Sequence, residues 1–113
     1  MYIGEASKLT GLSIKAIRLY EEKGLIKTPA RSGRYRVYTK TDIEILNLIV
    51  EAKRLGITLN RLKGVIVYHD NGPDWQRIKV FLADIKTQLI KHRQEIDLRI
   101  DHVERCMADI SPT

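Results

Sequence analysis

Cysteine is nearly absent. One residue, Cys106, in a chain of 113 excludes an internal disulfide framework and an all-cysteine metal cage within one chain. Long apolar runs are missing too. None approaches the roughly 18 residues that cross a bilayer, so no membrane span is expected. The opening MYIGEASKLTG lacks the basic-then-apolar layout of a secretory signal, and a cytoplasmic location is the expectation. The chain has no internal repeat and no low-complexity segment. It has no Ser-His-Asp or Cys-His constellation, no phosphate-cradling glycine loop and no metal motif, so neither an enzyme nor a cofactor is expected. Acidic residues are scarce in one region only. Residues 1–69 carry 13 Lys and Arg against 6 Asp and Glu, while residues 70–113 carry 7 against 8. The net charge of +6 therefore sits in the first part. A basic module joined to a near-neutral one points to nucleic acid or another anionic surface at one end.

What is present is a core-forming composition, 43% apolar and 30% charged. The length suits one domain, or a small domain with an extension. Tyr2-Ile3-Gly4 reads as a lead-in, and residues 5–11 as a short helix with Ala6 and Leu9 inward. Ser13 is a good cap for a second helix over 14–23, closed by Gly24. Ile14, Ile17 and Leu19 are expected inside, Lys15 and Arg18 outside. Two short helices joined by a glycine-containing turn make a helix-turn-helix. Pro29 stops any helix, and Ser32-Gly33 signals a turn. Residues 34–38, Arg-Tyr-Arg-Val-Tyr, alternate like a strand, with Leu25-Ile26 as the expected partner. Thr41 and Glu44 have capping-box spacing, opening a helix over 42–55 with Ile43, Leu46, Ile49 and Val50 buried. Thr58 caps a helix over 59–68 with Leu59, Leu62, Val65 and Ile66 inward.

The clearest boundary is HDNGPDW, residues 69–75, where Asn71-Gly72 turns and Pro73 suits the first turn of a helix. It separates a module over 1–69 from an extension over 70–113. From there to about residue 110 neither Gly nor Pro occurs. Ile78, Leu82, Ile85, Leu89, His92, Ile96, Arg99, Val103, Cys106 and Ile110 recur at alternating spacings of four and three, a heptad seam. Such a helix is about 50 Å long at 1.5 Å per residue. The preceding module cannot cover that length, so pairing with a second copy is expected. The fold class is mainly α: a winged helix-turn-helix with a short β-hairpin wing, then one long coiled-coil helix.

Read together, these pieces resemble the MerR family of bacterial transcription regulators, closest in look to its metal-responsive branch. The resemblance rests on Ala16-Ile17-Arg18-Leu19-Tyr20-Glu21 with Gly24-Leu25-Ile26, on Tyr35-Arg36-Val37-Tyr38, and on Gly56-Ile57-Thr58-Leu59. It implies a regulator of promoter DNA. Ser13, Lys15, Ala16 and Arg18 would face the major groove or its phosphates, and Tyr20 would reach the backbone near the dyad. Arg31, Arg34, Tyr35 and Arg36 would clamp phosphates from the wing. The wing is one residue shorter than the common family form and places Arg34 in its turn. The resemblance also implies an antiparallel homodimer through Ile78, Leu82, Ile85, Leu89, His92, Ile96 and Val103. That dimer would bind a near-palindrome and distort an overlong spacer, acting on RNA polymerase indirectly, in the cytoplasm at the nucleoid.

The resemblance further implies a sensing cysteine at the end of the dimer helix, where Cys106 stands. A second thiolate, which a monovalent coinage metal needs, would fall just past Thr113. A conventional metal site is therefore not expected. Three readings of Cys106 stand open: a packed seam residue, a redox or electrophile sensor near Arg99, His102 or Arg105, and a ligand shared across the dimer with His69 or Asp70. His92 either meets its own copy at the two-fold or faces solvent at the seam edge. Trp75 is expected to pack at the start of the dimer helix. Two further functions stand beside the regulator. An architectural, excisionase-like DNA-bending protein would lack the long heptad helix. A coiled-coil adaptor would not need the charge of residues 1–69.

Overall fold

A computed structural model describes residues 1–27, 31–110 and 112, with the backbone alone at Arg31 and Ser32. The expected break at Pro29 lies outside the described residues. By its contacts the chain divides into two compact units, Met1–Arg77 and Ile78–Thr113.

The first unit opens with α1, Ile3–Thr10, and α2, Ile14–Glu22. Helix α1 starts earlier than expected, with Tyr2 extended at its N-cap. It buries Ala6 and Thr10, and the Thr10 hydroxyl donates to the Ala6 carbonyl at 2.8 Å. That bond lets a threonine stand where an apolar residue was expected. Leu9, one residue or about 100° away on the helix, is 56% exposed. Ser13 caps α2, its side chain accepting the Ala16 N–H at 3.0 Å. Ile17 and Tyr20 are buried on α2, whereas Ile14 and Leu19 keep 39% and 40% of their surface, contrary to expectation.

Helix α2 ends in a Schellman motif. Gly24 adopts φ 79°, its N–H bonds to Glu21, and the Leu25 N–H bonds back to Tyr20. The chain is thereby turned inward at once, and Leu25 and Ile26 become core residues at 1% exposure each. They are not the wing's second strand. The wing pairs β1, Arg31–Ser32, with β2, Tyr35–Arg36, in antiparallel register around Gly33 and Arg34.

Helix α3, Lys40–Arg54, has its capping box two residues before the expected one. Thr39 accepts the Asp42 N–H at 3.1 Å, and Asp42 accepts the Thr39 N–H at 2.8 Å. Both pairs have the required spacing. The chosen one puts Asp42, buried at 8% exposure, on the core side, while Glu44 stays in solvent. Ile43, Ile45, Leu46, Ile49 and Ala52 form the buried stripe, with Val50 only half-buried. Thr39→Ala should lower unfolding stability by about 1 kcal/mol. Denaturant titration would show this as a lower midpoint at unchanged slope.

Helix α4, Leu59–Val65, is shorter than expected. The chain leaves it for a second hairpin, β3 Tyr68–His69 with β4 Gly72–Pro73. Pro73 therefore belongs to a strand, and Asp74 performs the capping, accepting the Arg77 N–H at 3.0 Å. Arg77 also donates to the Gly64 carbonyl at 2.8 Å. Tyr68 fastens this hairpin to the segment that follows α2 by donating to the Leu25 carbonyl at 3.0 Å.

Burial, followed by the nearby Asp42 charge, pushes the Tyr68 phenol up to about 12 from 10.0. Below pH 10 folded and unfolded chains both keep the proton. Between 10 and 12 the unfolded chain loses it first, so stability falls as pH rises through that window. Melting temperature should drop across it, and less steeply in Tyr68→Phe.

Helix α5, Trp75–Ala108, runs for 34 residues. Its first residue, Trp75, is 42% exposed, so the expected packing there is only partial. Ile78 and Ile85 are already buried in the single chain, at 4% and 7%. From residue 91 to 110 every side chain is exposed. Ile96, Val103 and Ile110, three of the expected seam residues, are among them. Arg99 and Cys106 interrupt one of the seam's two rows, while Ile100 and Met107, at 50% and 67% exposure, lie beside them. The apolar line thus becomes Ile96, Ile100, Val103, Met107 and Ile110, again at spacings of four and three. No helix among the described residues is long and apolar enough to cross a membrane.

Candidate nucleic-acid interface

The exposed face of α2 is ordered by helical geometry. At about 100° per residue, Ile14, Arg18, Glu22, Lys15 and Leu19 fall in that order across one arc of about 140°. The buried Ile17 and Tyr20 lie opposite. Ser13, Ile14, Lys15, Ala16, Arg18, Leu19 and Glu22 line one shallow open depression. Both termini of the arc are aliphatic, and its middle carries charge.

A second depression joins this helix to the wing. Ile3, Arg18, Arg34, Tyr35 and Arg36 line it, so guanidinium groups from two separate segments meet on one surface. Tyr35, 64% exposed, leans on Tyr2 with ring centroids 5.4 Å apart. Arg18 and Arg34 have no carboxylate partner among the described residues, but Arg36 does. Its Nε lies 3.1 Å from Glu21 Oε1. The N–H is not aligned for a hydrogen bond, so this buried nitrogen is paired by charge and left unsatisfied by geometry. Glu21 also accepts from the Tyr38 hydroxyl at 3.2 Å. Burial, then the Glu21 charge, raises the Tyr38 phenol above its ordinary value. Glu21, its side chain only 7% exposed, is thus a buried carboxylate that ties the wing to α2. In the sequence its one signal is its place at the end of the Ala16–Glu21 stretch, with no role attached.

Of the expected contact residues, the structure brings Ser13, Lys15, Ala16 and Arg18 together, and joins Arg18 to Arg34, Tyr35 and Arg36. The Arg31 side chain lies outside the described residues. Tyr20 does not stand on this surface: it is 2% exposed, and its hydroxyl accepts from Lys53 at 3.4 Å. The Lys53 ammonium also sits 5.9 Å from the Tyr20 ring centroid.

The other candidate groups are separate. His69 sits on β3 with Nε2 3.0 Å from Asp74 Oδ2, so it has a partner within its own hairpin. The Asp74 carboxyl is held below its ordinary value, first by the Arg77 N–H and then by His69. Cys106 is exposed on α5 as a free thiol, and His92 is exposed on the same helix. Among the described residues no three His, Cys, Asp or Glu side chains stand close enough to hold a metal ion.

Two helices at a glycine turn, a hairpin wing and basic side chains spread over both define a winged helix-turn-helix module. The family model for MerR HTH family regulatory proteins matches residues 1–67, and the chain belongs to that family of transcription regulators. Over 105 residues it is 38% identical to the HTH-type transcriptional regulator CueR of Escherichia coli O6:H1, covering 92% of this chain and 73% of that protein. The fold matches the N-terminal part of the Bacillus subtilis multidrug transporter activator MtaN with a TM-score of 0.63 at 26% identity, covering 95% of this chain and 97% of that one. It also matches HiNmlR, a MerR family regulator lacking the sensor domain and solved bound to promoter DNA. There the TM-score is 0.60 at 21% identity, covering 96% of this chain and 83% of that one. These relatives are regulators rather than enzymes.

Proposed function

We propose that the chain is a homodimeric regulator that binds a near-palindromic promoter element and acts by distorting the spacer between half-sites. The observation that carries this reading is the continuous basic surface from α2 to the wing, where Arg18, Arg34, Tyr35 and Arg36 line one depression. Lys15 and Arg18 enter the groove, Ser13 and Ala16 approach it, and Arg34 and Arg36 hold the flanking phosphates together with Arg31. Phosphate contacts set register and salt dependence, while base contacts set sequence. Tyr20 acts from beneath, by holding Lys53. That HiNmlR was solved on promoter DNA supports the choice of partner.

The second copy is proposed to dock along the exposed part of α5. The pairing face is Ile78, Leu82, Ile85, Leu89, His92, Ile96 and Val103, with Ile100 and Met107 beside it. The charges favour antiparallel pairing. Residues 75–93 carry five Lys and Arg against one Asp, and residues 94–113 carry two against five Asp and Glu. Head-to-tail alignment sets each basic half against an acidic one. The distortion step is part of the proposal: a spacer whose half-sites do not match the separation of two paired reading modules has to bend or untwist to meet both.

The test is energy transfer between dyes at the two ends of a promoter fragment with an overlong spacer, titrated with the full chain. Two chains per duplex and a changed end-to-end distance are expected. Selective binding at unchanged distance would remove the distortion step. Equal bending of any sequence would favour an architectural DNA-bending protein.

A further inference from the structure

We infer that α2 reads thymine by its 5-methyl group, through Ile14 at one edge of its exposed face and Leu19 at the other. The inference rests on the proposed DNA-binding role and names what that surface selects. Ile14 and Leu19 retain 39% and 40% exposure at the two edges of this face. They flank Lys15, Arg18 and Glu22 on the same depression, which also takes in Ala16. The face has no Asn or Gln, the side chains that pair both adenine edge atoms at once. Its direct reading is therefore limited to what it carries. Arg18 can bind guanine O6 and N7, Glu22 can accept from cytosine N4, and aliphatic carbons can meet the thymine methyl.

The occupant follows from charge and shape together. Lys15 and Arg18 stand between the aliphatic edges, and Arg18 also opens onto the adjoining depression with Arg34, a setting that suits a polyanion and repels a cationic peptide. The order across the arc is apolar, charged, apolar. In a major groove this predicts thymine on either side of the base pair that meets Arg18, in each half-site.

The experiment begins with selection of bound sequences by the full chain from a random duplex library. The selected duplex is then synthesised with deoxyuridine replacing each thymidine in turn, which removes one methyl and leaves every hydrogen-bonding edge intact. At two positions per half-site, flanking a G·C pair, uracil should weaken binding roughly fourfold, the effect of one buried methyl-sized group. Ile14→Ala should abolish the uracil effect at one of these positions and Leu19→Ala at the other. Circular dichroism at the assay temperature should show both variants folded, since each side chain is only partly buried. Equal affinity for thymine and uracil at every position would overturn the inference and leave DNA binding standing. Failure to enrich any duplex would overturn both.

Discussion

Leu89→Glu combined with Ile96→Glu is expected to give a folded, monomeric chain whose affinity for a two-half-site duplex falls roughly 10²- to 10⁴-fold. The two side chains are 49% and 50% exposed in the single chain, so their loss removes little from its own core. They lie seven residues apart on α5, on the row that keeps its apolar character to the end of the helix. Burying a carboxylate there without a partner is costly, so dimerisation should fail. Each module would then bind one half-site alone, and the gain from tethering two of them would be lost. Sedimentation velocity reads the oligomer and anisotropy reads the affinity. A dimer surviving both substitutions would show that the pairing face lies elsewhere.

Arg18→Ala is expected to cost about 1–3 kcal/mol in specific binding and to relax preference at one base pair per half-site. Arg34→Ala should behave differently, weakening every duplex alike and lowering the salt slope by about one. The contrast follows from position. Arg18 stands in the middle of the α2 face, and Arg34 in the wing's turn, yet both open onto one depression. Should the Arg18 variant keep its sequence preference and lose only salt slope, Arg18 is a phosphate contact, and the base reading passes to other residues of the face.

Helix identity and order were legible because each helix carried its own punctuation. Ser13, Thr58, Gly24 and Gly56 marked real ends, and the heptad spacing marked α5 almost to its bounds. The errors share a physical origin. Thr39-Asp42 and Thr41-Glu44 have equal spacing, and only the core decides which carboxylate is buried. Leu25-Ile26 looked like a strand because a Schellman turn sends two apolar residues inward without any periodic signal. Leu9, Ile14 and Leu19 are apolar yet exposed. A rule that places aliphatic residues inside cannot anticipate a surface that uses them. Strands of two residues, as in the second hairpin, are too short to alternate visibly. The candidate site was legible in its cations and not in its organiser, since Glu21 acquires meaning only once the wing brings Arg36 and Tyr38 against it.

The most direct test is a fluorescence-anisotropy titration of the full chain on a selected near-palindromic duplex and on its scrambled counterpart, at several salt concentrations. The account predicts tight binding of two chains to the first duplex, much weaker binding to the second, and an affinity that falls linearly on a log–log salt plot. Equal, weak binding to both duplexes at every salt concentration would contradict it.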